Sequence, residues 1–126
     1  MSIPQEYKYS KEHTWLKLID TNQALIGITE FAQSELGEIV YVDLPSVGKH
    51  FKKDEVFGSV EAVKTTSDLF MPVSGEIVEI NTTLKDDATL VNSASFEDGW
   101  MIKIVLSDNE ELNSLLTATD YQAIVS

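Results

Sequence analysis

Ser59-Val60-Glu61-Ala62-Val63-Lys64-Thr65-Thr66-Ser67-Asp68-Leu69-Phe70-Met71-Pro72 is the stretch around which the rest of this sequence is organised. Val60 and Ala62 alternate with Ser59 and Glu61 at the period of two expected of a half-buried strand. Leu69, Phe70 and Met71 form an apolar run stopped by Pro72. Between them lie Lys64, Thr65, Thr66, Ser67 and Asp68, short polar residues suited to turning the chain. The pattern predicts a hairpin over 59–72 with Lys64 at or beside its tip and its amine held in water. Taken alone, Lys64 is one solvated lysine among nine, because short motifs match often by chance.

The surroundings add weight. Gly37-Glu38-Ile39-Val40 recurs 38 residues later as Gly75-Glu76-Ile77-Val78, with Lys64 between the copies. Each copy leads into strand-like residues, a polar turn and more strand-like residues. The repeat predicts two similar sheet layers with the lysine hairpin at one end. A chance match between two Val/Ile-rich strands is the competing explanation.

Composition narrows the class. The 126 residues suit a single domain spanning 1–126, long enough to bury a core without staples. Without cysteine there is no disulfide, thiol nucleophile or thiolate metal site. No stretch has the length of a transmembrane helix. The N-terminus has neither a signal-peptide apolar run nor a transit-peptide Arg/Ser bias. A soluble, cytoplasmic chain is expected. Twenty-one acids face nine lysines and no arginine, a net charge of −12. Such a surface repels nucleic acid and anionic membranes and favours basic patches on partner proteins. It also lacks the bidentate clamp that arginine offers to phosphates and carboxylates.

In chain order, residues 1–11 read as an irregular lead-in anchored by Tyr7 and Tyr9. Strands are expected over 13–19 and 23–28, joined by Asp20-Thr21-Asn22. Thr29 caps a short helix over 30–36, with Phe31, Ala32 and Leu36 on its buried side and Gly37 past its end. Further strands are expected over 38–44, 56–63, 76–80 and 100–106. Residues 81–89 read as a polar loop with one helical turn at most, and 92–99 as loop. Ser107-Asp108-Asn109-Glu110 reads as a capping box. Leu112, Leu115 and Leu116 follow it at helical spacing. Thr119 with Gln122 reads as the start of a second helix carrying Tyr121, Ile124 and Val125. These C-terminal helices, about 108–125, are expected to be lids. The whole is a mainly β domain, a sandwich or a flattened barrel.

No self-sufficient active site is visible. His13 and His50 lack metal-site spacing. His13 suits a packed or capping role, and His50 lies in a charged loop. There is no nucleophile elbow, phosphate loop or dinucleotide fingerprint. Acid pairs such as Glu110-Glu111 and Asp86-Asp87 read as surface. A displayed lysine without a catalytic constellation is better read as a carrier. A prosthetic group amide-linked to it becomes a tethered reactant whose effective concentration at a docked enzyme is on the order of millimolar.

The sequence resembles the H-protein family of the glycine cleavage system over essentially its whole length. The resemblance is carried by Lys8-Tyr9-Ser10 with His13 and Trp15, Ile26-Gly27-Ile28-Thr29, Val42-Asp43-Leu44-Pro45 and Phe57-Gly58-Ser59-Val60-Glu61. It continues through Val63-Lys64, Ser67-Asp68-Leu69, Pro72-Val73-Ser74-Gly75, Val91-Asn92-Ser93 and Asp98-Gly99-Trp100. The resemblance implies a barrel-sandwich hybrid fold of two quasi-repeated halves, with lipoate amide-linked to Lys64. It implies a non-catalytic carrier that takes an aminomethyl group from glycine decarboxylase to the aminomethyltransferase, and its dithiol to dihydrolipoamide dehydrogenase; nothing in the sequence suggests more than a monomer. A lipoate ligase or a lipoyl/octanoyl transferase is implied as the modifying enzyme.

The sequence also departs from the family. The family commonly has Glu between the histidine and the tryptophan, among the acids that hold the cargo in a surface groove; Thr14 stands there. Glu12 and Asp68 are the candidates to supply that charge. Ala62 replaces a usual Ser, and Thr65 and Thr66 replace small residues, changes too mild to stop lipoylation.

Other readings compete. A lipoyl donor or relay for other complexes has the same sequence requirements. A biotin carrier also displays a lysine on a hairpin, but with methionine on both sides, where this chain has Val63 and Thr65. An unmodified interaction module and an acid-cluster enzyme are the remaining alternatives.

Overall fold

A computed structural model of the chain describes residues 3–125; Met1, Ser2 and Ser126, at the ends of the expected 1–126 domain, lie outside the described residues. In order come β1 (Lys8–Tyr9), β2 (Thr14–Leu18), β3 (Gln23–Ile28), α1 (Glu30–Leu36), β4 (Ile39–Asp43), β5 (His50–Phe51) and β6 (Val56–Ala62). There follow β7 (Thr66–Phe70), β8 (Gly75–Ile80), α2 (Thr83–Asp86), α3 (Leu90–Ser93), β9 (Ile102–Leu106), a 3-10 helix (Asn109–Ser114) and α4 (Ala118–Val125). Among the described residues, no helix is long and apolar enough to cross a membrane.

The strands form two sheets and not one closed barrel. A six-stranded sheet has the order β1-β2-β3-β9-β8-β5, and a three-stranded sheet the order β4-β6-β7. Every pairing is antiparallel. The repeat puts one copy into each sheet: Ile39 opens β4 and Ile77 lies in β8, and both are fully buried. The period-two pattern explains why the sheets face one another. Ile26, Ile77, Ile102 and Ile104 from the large sheet meet Ile39, Val42, Val60, Ala62 and Leu69 from the small one in a single cluster. Each such Val, Leu or Ile side chain contributes about 1.5–3 kcal/mol on leaving water.

The large sheet has a second apolar layer on its other side. Tyr7, Tyr9 and Trp15 gather there with Ala118 and Tyr121 of α4. Tyr9 and Tyr121 stack with ring centroids 4.8 Å apart and planes 10° from parallel. That contact ties α4 to β1, as expected of a lid.

Several local expectations are corrected. The turn of the lysine hairpin is shorter than five residues, because Thr66, Ser67 and Asp68 belong to β7 and pair with Glu61, Val60 and Ser59. Thr is β-branched and favours a strand, so polarity misled here. Residues 81–89 hold the one helical turn allowed there, α2, with Leu84 buried, but a second turn, α3, forms over Leu90–Ser93 with Val91 buried, where no helix was expected. The strand expected over 100–106 begins at Ile102. The reciprocal capping box is absent. Asp108 is the cap, accepting from the Glu110 amide at 2.9 Å, and the segment is a 3-10 helix. Leu115 and Leu116 are not helical: Leu115 is extended, and Leu116 exchanges backbone hydrogen bonds with Tyr9. Thr117, not Thr119, caps α4, accepting from the Asp120 amide at 3.2 Å. Ile124 is exposed rather than packed. Helix α1 spans the expected residues with Thr29 as its cap, yet buries none of them fully.

Candidate functional site

The lysine hairpin is held from inside. Val60, Ala62 and Leu69 are buried, so β6 and β7 are pinned to the core while their other face stays in solvent. The Ala62 amide donates to the Thr65 carbonyl at 2.7 Å, leaving Val63 and Lys64 as the tip. The Val63 amide donates to the Glu38 carbonyl at 3.1 Å, tying the tip to the start of β4. Helix α1 stops at Gly37, whose φ of 86° favours a residue without a side chain. A Cβ on Gly37 would stand 3.6 Å from Lys64 Cε, so the lysine stem lies over the glycine. Lys64 is exposed, and it makes no ion pair among the described residues.

Asn92 of α3 locks this frame. Its Oδ1 accepts from the Ile39 amide at 2.8 Å, and its Nδ2 donates to the Gly37 carbonyl at 2.8 Å and to Gln33 Oε1 at 2.7 Å. One side chain therefore holds both sides of Glu38, whose carbonyl holds the tip. Replacing it leaves the amide of a fully buried residue, Ile39, without a partner. Asn92→Ala is expected to lower unfolding free energy by about 1–3 kcal/mol in urea titration and to speed amide exchange at Val63. Protection at Val63 equal to the native chain's would remove the link to the tip.

The groove candidates separate. Glu12 is exposed in the β1–β2 loop and lines a recess of about 480 Å³. Apolar Phe70, Pro72, Leu115 and Leu116 share that recess with Ser10, Lys11, Lys53 and Asp54. Thr14 does not line it. It is 1 % exposed, and its hydroxyl hydrogen-bonds the Ser10 hydroxyl. Asp68 lines a shallower depression of about 350 Å³ with Asp43, Phe57 and Ser59. Thr66, Asp68 and Phe70 alternate with Ser67 and Leu69, so all three point to one face of β7, from beside Lys64 to the Glu12 recess. Phe70 stands about 13 Å from Thr66 along the strand.

His13 has a φ of 66°. Its carbonyl accepts from the Thr29 amide at 3.0 Å, and its Nδ1 lies 2.8 Å from the Tyr121 hydroxyl. That hydroxyl is also 2.7 Å from Thr29 Oγ1, which caps α1. Burial raises the Tyr121 pKa against the opposing Thr29 hydrogen bond, so the phenol stays protonated. Burial also lowers the His13 pKa, outweighing the opposite pull of Glu12 and Glu35. The unfolded chain therefore takes up the proton first as pH falls. The stabilisation is complete above the unfolded value of about 6.5, begins to be lost below it, and is gone below the folded value. The thermal midpoint is expected to fall between about pH 7.5 and about pH 5.5, and less steeply in His13→Asn. Asparagine tolerates the positive φ. Equal slopes would assign the pH response to other groups. His50 is exposed on β5, 3.9 Å from Glu76.

Gly37, Asn92 and the Leu115–Leu116 wall were not visible as site residues in the sequence. Asn92 acts on Ile39 across 53 positions, a link that no local pattern carries. Among the described residues, no group of three or more His, Asp or Glu is placed to hold a metal ion. The residues present do suit an acylated lysine. An exposed amine stands on a rigid tip, and a recess with apolar walls and a carboxylate lies at the far end of the same strand.

The family model described as glycine cleavage H-protein matches residues 7–126. A glycine cleavage system H protein of Staphylococcus epidermidis is 50% identical over 125 residues, covering 99% of this chain and 98% of its own length. One from Brevibacillus brevis is 51% identical over 125 residues, with the same coverage of 99% and 98%. The crystal structure of a glycine cleavage system H protein from Mycobacterium marinum superposes with a TM-score of 0.85 at 33% identity, covering 97% of this chain and 98% of that one. The two-sheet architecture is thus the barrel-sandwich fold of that structure.

Proposed function

The chain belongs to the glycine cleavage H-protein family, and we propose that Lys64 is the residue on which it carries lipoate. Its role is that of a lipoyl carrier in the glycine cleavage system, a carrier subunit and not an enzyme. The observation that supports Lys64 is its position: an exposed amine, with no ion pair among the described residues, on a two-residue tip whose backbone is tied to Glu38. When bound, lipoate supplies a disulfide able to take up an aminomethyl group and two electrons.

The chain's own residues display, shelter and release. The amide removes the ammonium charge of Lys64, so the arm can lie back along the outer face of β7. Phe70, Pro72, Leu115 and Leu116 offer it an apolar wall at the far end. Glu12 offers a carboxylate to a cationic amine, a charge-assisted hydrogen bond of the stronger kind. Asp68 stands on the path between. Thr14, packed against Ser10, takes no part. Glu12→Ala/Asp68→Ala is expected to shorten the half-life of the loaded carrier by about tenfold, the equivalent of 1.4 kcal/mol. An unchanged half-life would exclude both acids.

The partners that follow are glycine decarboxylase, the aminomethyltransferase and dihydrolipoamide dehydrogenase, with a lipoate ligase or a lipoyl/octanoyl transferase to load Lys64. The chain acts in the cytoplasm as a monomer, one domain with its C-terminal lid. The deciding experiment is the intact mass of the chain purified from its own cells, followed by peptide mapping. A lipoyl-sized addition confined to Lys64 supports the assignment. A biotin-sized addition would move the protein to carboxylase chemistry. A bare Lys64 in cells that make lipoate would point to an interaction module.

A further inference from the structure

The three-stranded sheet has an anomaly beside Lys64. Its register slips between Ile39 and Tyr41, a bulge in β4. The slip leaves Ile39 and Val42 buried but turns both residues between them outward: Val40 is 50% exposed and Tyr41 52%. Val63, on the hairpin tip, is 69% exposed. Tyr41 stands opposite Glu61, and the Val63 amide is bonded to Glu38, so the three apolar side chains belong to one end of the sheet. β4 is also an edge strand. Exposed apolar residues on an edge invite unwanted pairing, and sequences ordinarily blunt such edges with charge. Here the charges form a rim instead: Glu38, Glu61 and Asp43 are all exposed around the patch.

From this juxtaposition we infer that the Val40–Tyr41–Val63 patch is the docking surface for the enzyme that acylates Lys64. The inference rests on Lys64 being the modified residue. Its chemistry selects the partner. With a lipoate ligase as that enzyme, Nζ loses a proton and attacks the carbonyl carbon of an acyl adenylate. The amide C–N bond forms, the acyl–oxygen bond to phosphate breaks, AMP leaves, and the amide nitrogen sheds its second proton. The reacting carbon has to reach Nζ itself, so the acylating enzyme must cover the tip and what adjoins it. An enzyme that works on the far end of the arm has no such need. The acidic rim specifies the partner's side: an apolar recess bordered by lysine and arginine. A net charge of −12 adds long-range attraction to it.

The test uses the full unmodified chain, a purified lipoate ligase, lipoate and ATP, with acylation followed by intact mass. Val40→Thr/Tyr41→Thr keeps strand-forming residues at solvent-facing positions. It is expected to raise the KM for the carrier by about tenfold with kcat near the native value, as loss of an apolar anchor at an interface does. Val63→Thr, outside the strands, is expected to act in the same direction and serves if the double variant unfolds. After exhaustive lipoylation, the double variant is expected to show a native KM with glycine decarboxylase. An unchanged ligase KM in folded variants overturns the inference. So does a change confined to the decarboxylase, or loss of a self-associated state in sedimentation. If native chain is not acylated on Lys64 at all, the attachment reading itself fails, an outcome distinct from the others.

Discussion

Lys64→Arg is expected to fold as the native chain does and to support no glycine cleavage. Lys64 is exposed, and among the described residues its ammonium makes no ion pair. A surface exchange of this kind changes stability by about 0.5 kcal/mol or less. Arginine preserves the charge and much of the stem over Gly37. Its guanidinium, however, stays protonated at any working pH and presents no free amine to an acyl donor. The measurement pairs a thermal midpoint with intact mass after incubation with ligase, lipoate and ATP, then with turnover in the reconstituted system. Native stability, no mass gain and no turnover is the expected combination. The other lysines do not substitute. Lys53, for example, is already hydrogen-bonded to Ser114 at 2.6 Å, and it lies on no hairpin tip. Retained glycine cleavage in this variant would overturn the assignment of Lys64.

Trp15→Ala is expected to be the most damaging single truncation for the fold. The indole is 1% exposed and centres the second apolar layer, 5.1 Å from Tyr7 and 6.3 Å from Phe96, centroid to centroid. Across β3 it lies over Gly27, where a Cβ would stand 2.7 Å from the ring. That glycine exists to admit the indole. Its Nε1–H donates to the Ser95 carbonyl at 2.8 Å, in a buried setting. Truncation removes the contacts and leaves a cavity, a loss of about 3–5 kcal/mol. A domain with about 5–15 kcal/mol in total can be brought near its limit by such a loss. Trp15→Phe keeps most of the ring but strands the Ser95 carbonyl, and is expected to cost about 1–3 kcal/mol. Urea titration separates the two. Because Tyr9, Leu115 and Leu116 border the Glu12 recess, loosening this layer is expected to shorten the loaded carrier's lifetime while Lys64 is still acylated.

The two predictions act on different parts of one device. Lys64, as the proposed attachment site, bears on the chemistry and contributes little to the fold. Trp15 carries the fold and is not among the residues that line the Glu12 recess. Between them stands the frame built by Gly37, Asn92 and Glu38, whose failure would leave a stable chain with a poorly held tip.

Much of this was legible in the sequence by itself. Period-two alternation over 59–62 marked a strand, because a sheet buries one face, and the strands read over 56–63 and 76–80 lie within a residue of β6 and β8. The Thr29 cap and Gly37 fixed α1 at both ends, since capping is local. The Gly-Glu-Ile-Val repeat anticipated two layers, each holding one copy, although the layers are unequal, with six strands and three rather than similar, and the ordered matches to a carrier family singled out Lys64. What the sequence could not decide were contacts between distant residues. Thr66–Asp68 became strand because they pair with β6, although their polarity reads as a turn. Leu115 and Leu116 took extended form because Leu116 bonds to Tyr9, a partner more than a hundred positions away, which outweighs helical spacing. Asn92 acquired a role only when folding brought it against Ile39 and Gly37. Thr14 and Glu12 are two positions apart, yet one is packed inside and the other lines a recess, because Glu12 lies in the β1–β2 loop and the chain turns at His13, with its φ of 66°, before Thr14 opens β2. Local propensity thus named most of the elements, and the family resemblance named the lysine; long-range packing chose which residues surround it.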